Sequence, residues 1–208
     1  MRSAWTSRLL SGVIAVLTAV GAVISFTNHQ EGILAVFGLD NLKFFTVESN
    51  LLVGLVHLLA LIRPPEGNGR GALWLRRLLY VSTVAVSLTF TVVMAFFGPS
   101  LGYGEMIRGA NLLFHLIIPL LAILSLCVFY RGRPVPMAET AAALIPTVLY
   151  GLYYTAVLLI HGVHFPETDW YGFASGVCRN VCDDFGSQGV PVTFVTMVEN
   201  TGLGRDVV

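Results

Sequence analysis

The chain has 208 residues, 55% of them hydrophobic and 12% charged, with 12 basic and 12 acidic residues balancing to zero. A soluble domain of this size carries about 25% charged residues, so the composition points to the bilayer as solvent rather than to a soluble fold. A neutral balance without a Lys/Arg-rich run offers no surface for a nucleic acid.

An α-helix needs about 20 apolar residues to cross roughly 30 Å of hydrocarbon, and five stretches qualify, in chain order. They run from Leu9 to Phe26, Phe44 to Ile62, Leu78 to Phe97, Leu112 to Tyr130 and Ala138 to Ile160. Turn-rich breaks separate them at Arg63-Pro64-Pro65-Glu66-Gly67, Gly98-Pro99-Ser100 and Arg131-Gly132-Arg133-Pro134. Without an internal repeat or low-complexity tract, the fold reads as one all-α, polytopic membrane helix bundle over residues 1–175, followed by a polar tail over 176–208.

Arg2, Arg8 and the small residues Ala19-Val20-Gly21 echo a secretory signal. However, the apolar stretch is long for a signal core and no polar mature start follows, so it reads as a first transmembrane helix. Ser11, Ala15, Thr18, Ala22 and Ser25 fall on one face of that helix and read as a close-packing seam. Basic residues in short loops set orientation. With the N-terminus inside, Arg2, Arg8, Arg63, Arg70, Arg76, Arg77, Arg131 and Arg133 are all cytoplasmic. Lys43, Arg108 and the tail, which holds Arg179 and Arg205, are external. The segment Val190 to Val198 is too short for a sixth crossing, so the acidic tail faces out. Cys127 lies in an apolar stretch and reads as a small hydrophobe, whereas Cys178 and Cys182 in the tail would pair only in an oxidising compartment.

Ionisable and polar groups inside a bilayer are costly, which makes them candidate functional residues. At about 100° per residue, Thr46, Ser49, Asn50, Val53, Gly54 and His57 share a face of the second helix, with Glu48 pointing away. Asn111, His115, Ile118, Ala122 and Ser125 form a stripe on the fourth, and Tyr150, Tyr154, Val157 and His161 one on the fifth, with Tyr153 at its edge. The second and fourth helices run in the same direction, and Thr46 and His115 both lie near the start of theirs, so the two share a depth that His161 can join. His57 lies about 16 Å further along the helix. A hydroxyl beside an imidazole is an activated nucleophile, and Asn50 or Asn111 would orient the imidazole or donate to an oxyanion. The same residues have structural readings: Thr46 as a helix cap, His115 and His57 as packing residues, Glu48 as a helix-dipole partner, and the tyrosines as packing and interface anchors.

At these residues the chain resembles a known family. Phe44-Phe45-Thr46-Val47-Glu48-Ser49-Asn50-Leu51-Leu52 resembles the second-helix motif of the androgen-induced and androgen-dependent membrane proteins and their bacterial relatives. Asn111-Leu112-Leu113-Phe114-His115-Leu116-Ile117-Ile118-Pro119-Leu120 resembles their histidine motif, and Pro146 through Tyr154 and Asp169-Trp170-Tyr171-Gly172-Phe173 resemble their later region. The resemblance, over residues 10 to 175, implies a multi-pass intramembrane hydrolase of fatty acid esters of hydroxy fatty acids. Its nucleophile would be Thr46 and its base His115, with no cofactor, in a bacterial inner membrane. Glu48 stands where the bacterial motif has glutamine, and the chain turns polar after Phe173 where relatives continue into a further helix.

The leading expectation is therefore an intramembrane hydrolase of lipid esters, with Thr46 and His115 catalytic and Asn50, Asn111 and His161 supporting, and with membrane lipids and a lipid ester as its partners. The alternative is a non-enzymatic lipid-binding, scaffold or transport protein whose polar stripes serve packing or permeation. A metal or haem site on His57, His115 and His161 is the weakest reading, because their depths differ and no HxxxH spacing falls within a span.

Overall fold

The computed structural model describes residues 2–27, 38–63, 65, 69–129 and 135–175. The polar tail, with Cys178 and Cys182, lies outside the described residues. Among the described residues the chain is helical, with five helices long and apolar enough to cross a membrane. This is a multi-pass membrane protein. We label its helices α1 (Arg2–Thr27), α2 (Phe45–Ile62), α3 (Arg70–Phe97), α4 (Ala110–Val128) and α5 (Met137–His161). A 3₁₀ turn, Gly38–Lys43, leads into α2, and a short turn, Tyr103–Met106, lies between α3 and α4.

The expected spans match within a few residues except at two starts: α1 begins at Arg2 rather than Leu9, and α3 at Arg70 rather than Leu78. Hydropathy hides the first part of α3 because Arg70, Arg76 and Arg77 lower it, yet arginine is a good helix former. Their side chains are used locally: Arg76 Nη1 donates to the Pro65 carbonyl at 3.0 Å, and Arg77 Nε meets Glu139 Oε1 at 2.7 Å, tying α3 to the start of α5.

The polar stripes of α2 and α4 face inward as expected, whereas on α5 no residue of the stripe is buried and His161 is exposed. Ser49, Asn50, Val53, Gly54 and His57 are buried on α2 while Glu48 is exposed, and His115, Ile118, Ala122 and Ser125 are buried on α4. On α1 the buried positions are Ser7, Ser11, Ile14, Thr18, Gly21 and Ser25, with Ala15 and Ala22 at the edge of that face rather than on it. Small residues let the helices close up. A Cβ on Gly54 would sit 2.4 Å from Thr18 Cγ2, and one on Gly21 would sit 2.6 Å from the Phe114 ring. One core of Ile14, Phe44, Val47, Val53, Val86, Phe114, Ile118 and Trp170 joins α1 to α4 and the segment after α5. Helix α5 stands apart: only 6% of its membrane window is buried, and Tyr150, Tyr154 and Val157 carry its packing against the core.

Two helices contain a π-turn, Val93–Phe97 in α3 and Leu113–Ile117 in α4, and each is followed closely by a proline. The consequence is the same in both. The Ile118 N–H bonds the Leu113 carbonyl, so the Phe114 carbonyl would have to wait for residue 119, and Pro119 has no N–H to give. In α3 the Gly98 N–H goes to Val93 and Pro99 leaves the Met94 carbonyl free. Each freed carbonyl is caught by a side chain: Phe114 by Asn50 and Met94 by Tyr103.

Candidate functional site

The π-turn also explains how neighbouring residues Phe114 and His115 can both face the interior, since it widens the helix by one residue at that point. His115 is 8% exposed, and its Nδ1 lies 2.6 Å from the Met106 carbonyl. A carbonyl only accepts, so Nδ1 carries the hydrogen in the neutral ring, and Nε2 keeps the lone pair that can take a proton. Met106, in the turn before α4, thus fixes the ring and its tautomer. Nothing in the sequence pattern marks this carbonyl as a partner.

Asn50 joins the two helices. Its Nδ2 donates to the Thr46 carbonyl at 2.7 Å, on its own helix, and to the Phe114 carbonyl at 2.9 Å, on α4. The backbones of Thr46 and of the residue before His115 are therefore held on opposite sides of one amide. Both amide hydrogens are committed, which settles the amide orientation and makes Asn50 a positioning residue rather than an oxyanion donor. Ser49 Oγ, 3.2 Å from the Thr46 carbonyl, is also 3.0 Å from Thr89 Oγ1, which ties this part of α2 to α3.

Thr46 itself is half-buried in the first turn of α2, and the α2 N-cap position is Phe44, which makes no side-chain cap bond, so Thr46 does not serve as the cap. Among the described residues its hydroxyl makes no hydrogen bond, and none joins it to His115. Asn111 is half-buried, with its backbone N–H on the Arg108 carbonyl. His161 is exposed at the end of α5, and no hydrogen bond ties it to Thr46, Asn50 or His115 among the described residues. His57 is deeper, with Nδ1 3.1 Å from Ser11 Oγ. Among the described residues no three His, Cys, Asp or Glu side chains converge as metal ligands do.

The segment after α5 folds over the Thr46 end. Phe45 N donates to Tyr171 Oη at 3.0 Å, Tyr150 Oη donates to the Lys43 carbonyl at 2.5 Å, and Trp170 Nε1 donates to Tyr150 Oη at 3.0 Å. Asp169, fully buried, accepts from Tyr154 Oη, from Phe173 N at 3.1 Å and from Ser175 N at 2.6 Å. Burial pushes this carboxyl up, but the donors outweigh it and hold the group below its ordinary value. Burial pushes the Tyr171 phenol well up, so it stays neutral. Helical periodicity places Tyr150 and Tyr154 on one face of the fifth helix, whereas Trp170 and Tyr171 enter the sequence reading only through the family resemblance.

An apolar groove of about 640 Å³ lies elsewhere, between the other ends of α1 and α2, lined by Trp5, Arg8, Gly12, Val16, Leu58 and Leu61 among others. Leu61 stands about 22 Å along α2 from Thr46, so this groove is no part of the Thr46 site. Comparison with protein-family models, curated proteins and solved structures finds no match.

Proposed function

We propose that this chain is an intramembrane ester hydrolase in which Thr46 is the nucleophile and His115 the general base, with the N-terminus cytoplasmic and the Thr46 end in the outer half of a bacterial inner membrane. The observation that carries the reading is the Asn50 bridge: one buried amide fixes the backbones bearing the hydroxyl and the imidazole, while Met106 leaves His115 Nε2 as the basic nitrogen. The charge asymmetry supports the orientation, since Arg8, Arg63, Arg70, Arg76 and Arg77 lie towards the end opposite Lys43 and Arg108.

In this reading Thr46 Oγ1 attacks the ester carbonyl carbon as His115 Nε2 takes the hydroxyl proton. The backbone N–H of Thr46, a first-turn donor with no acceptor in its own helix, and the positive end of α2 receive the developing oxyanion. Collapse of the tetrahedral intermediate expels the alcohol, which leaves with the proton from His115. Water, deprotonated by the same nitrogen, then splits the acyl-threonine to release the acid and restore the hydroxyl. Catalytic hydrogen bonds often tighten only once substrate is bound, and here substrate must bring the two side chains into contact. The chemistry calls for a lipid ester entering from the bilayer and for no cofactor.

The test is labelling of membranes with a fluorophosphonate probe. Wild type is expected to be labelled at Thr46, and Thr46→Ala and His115→Ala, at equal abundance, to be labelled at least about a hundredfold more slowly, the low end of a general-base contribution of roughly 10²–10⁴-fold. An unlabelled but folded wild type would overturn the reading. The missing hydroxyl–imidazole bond would then favour the non-enzymatic alternative, a lipid-binding or scaffold protein.

A further inference from the structure

Below the Asn50 bridge the α1–α2 seam holds more polar atoms than the protein satisfies. Asn50 Oδ1, Thr18 Oγ1 and His57 Nε2 are buried without a hydrogen-bond partner among the described residues, and so is Ser125 Oγ on the core-facing stripe of α4. Their side chains are deeply enclosed: Asn50 is 0% exposed, His57 1%, Ser125 1% and Thr18 4%. They are also ordered in space. Asn50, Gly54 and His57 descend one face of α2 over about 10 Å. Thr18 occupies the space that the absent Gly54 side chain leaves, between the Asn50 and His57 levels, and Ser11 holds His57 from the far side.

A hydrocarbon interior offers no partner to such atoms, and a buried polar site of this kind is satisfied by internal water making two to four hydrogen bonds. Each orphan alone would accommodate one isolated water. Three orphans at successive levels of one seam, two on α2 and one on α1, would together line a file. We propose that the α1–α2 seam binds a file of water molecules from Asn50 to His57, and that this water supplies the hydrolytic half of the reaction at Thr46. The second clause rests on the ester-hydrolase reading; the first does not. Asn50 is the junction: Nδ2 holds the Thr46 backbone and Oδ1 holds the uppermost water.

The full chain in lipid nanodiscs, footprinted by X-ray radiolysis of water with mass spectrometry, tests this. His57 is expected to be oxidised, relative to its rate in free peptide, at least tenfold more than Leu79, which is equally buried (1% exposed) in the apolar cluster of Val56, Ala60 and Leu75. Equal protection of His57 and Leu79 would overturn the water file. Thr18→Val, nearly isosteric, is expected to raise His57 protection several-fold and to slow release of an acylated Thr46, leaving the rate of fluorophosphonate labelling unchanged. Unchanged release despite raised protection would overturn the supply role. If wild type resists the fluorophosphonate, the supply role falls with the ester-hydrolase reading, and the footprint alone decides the water file.

Discussion

Pro119 and Asn50 are separate features of the sequence and one feature of the structure. The proline deprives the Phe114 carbonyl of a backbone partner, and Asn50 replaces it from another helix, 64 residues away in the chain. Replacing Asn50 by leucine keeps the branched outline and leaves the Phe114 carbonyl short of a donor in a site without bulk water, a loss of about 1–3 kcal/mol, while the Thr46 carbonyl keeps Ser49 Oγ. Asn50→Leu is therefore expected to lower the thermal midpoint in detergent and to slow fluorophosphonate labelling tenfold or more; an unchanged labelling rate would sever the bridge from the site. The position of Asn50 on the polar face of α2 was legible from helical periodicity, as was the inward direction of His115. Its partner was not, because the need for that partner arises from a π-turn, and hydropathy carries no trace of an extra residue in a helical turn. For the same reason the periodic reading put His115 on the inner stripe and left out Phe114, which is 1% exposed.

Helix–helix contact obeys a simpler rule that sequence states only in part. The glycine at position 54 could be seen on the buried face, but the residue opposite it could not. Thr18 lies so close that a side chain at 54 would displace either Thr18 or the whole of α1. Gly54→Val is expected to cost about 1–3 kcal/mol through overpacking, measured as a lowered thermal midpoint, and Thr18→Gly in the same chain to recover much of it. Gly151 in α5 is the control, since a Cβ there meets nothing within 4 Å. Gly151→Ala is expected to be neutral or to stabilise by up to about 1 kcal/mol through helix propensity. Destabilisation by both substitutions would mean that helix propensity or lipid contact, not the α1–α2 approach, governs these positions. The start of α3 carries a related lesson: apolar run length locates the part of a helix that fits hydrocarbon, not the part that is helical, and Arg70, Arg76 and Arg77 extend the helix beyond it.

The bundle is held unevenly. Helices α1 to α4 share a core, whereas α5 reaches it through Tyr150, Tyr154 and Val157 and is anchored at one end by the segment 165–175. Asp169 organises that segment, taking one donor from α5 and two from the chain beyond it, so its charge state contributes to how firmly the last helix is attached, beside the Tyr150–Lys43 bond and the Arg77–Glu139 pair. Its carboxyl is held below the ordinary value of 3.8 despite burial, because hydrogen bonds from Tyr154, Ser175 and Phe173 favour the ionised form. A group whose pKa is depressed by folding contributes stability that is complete above its unfolded value, and that contribution is lost as pH falls through the folded value. The attachment of α5 should therefore be insensitive to pH from neutrality down to the ordinary carboxylate range and should loosen only below it. Trp170 reports on this directly: it is 3% exposed, against 72% for Trp5 and 62% for Trp74, and its ring lies 5.0 Å from that of Tyr154. With Trp5 and Trp74 replaced by phenylalanine, Trp170 emission is expected to stay constant from pH 7 to about pH 4 and to shift to longer wavelength only at lower pH. Asp169→Asn, which cannot ionise and offers an N–H where a carboxylate oxygen accepted one, is expected to show the shifted emission already at neutral pH. A Trp170 transition centred above the ordinary carboxylate range, or an Asp169→Asn spectrum identical to wild type, would show that burial outweighs the donors and that another contact holds the last helix in place.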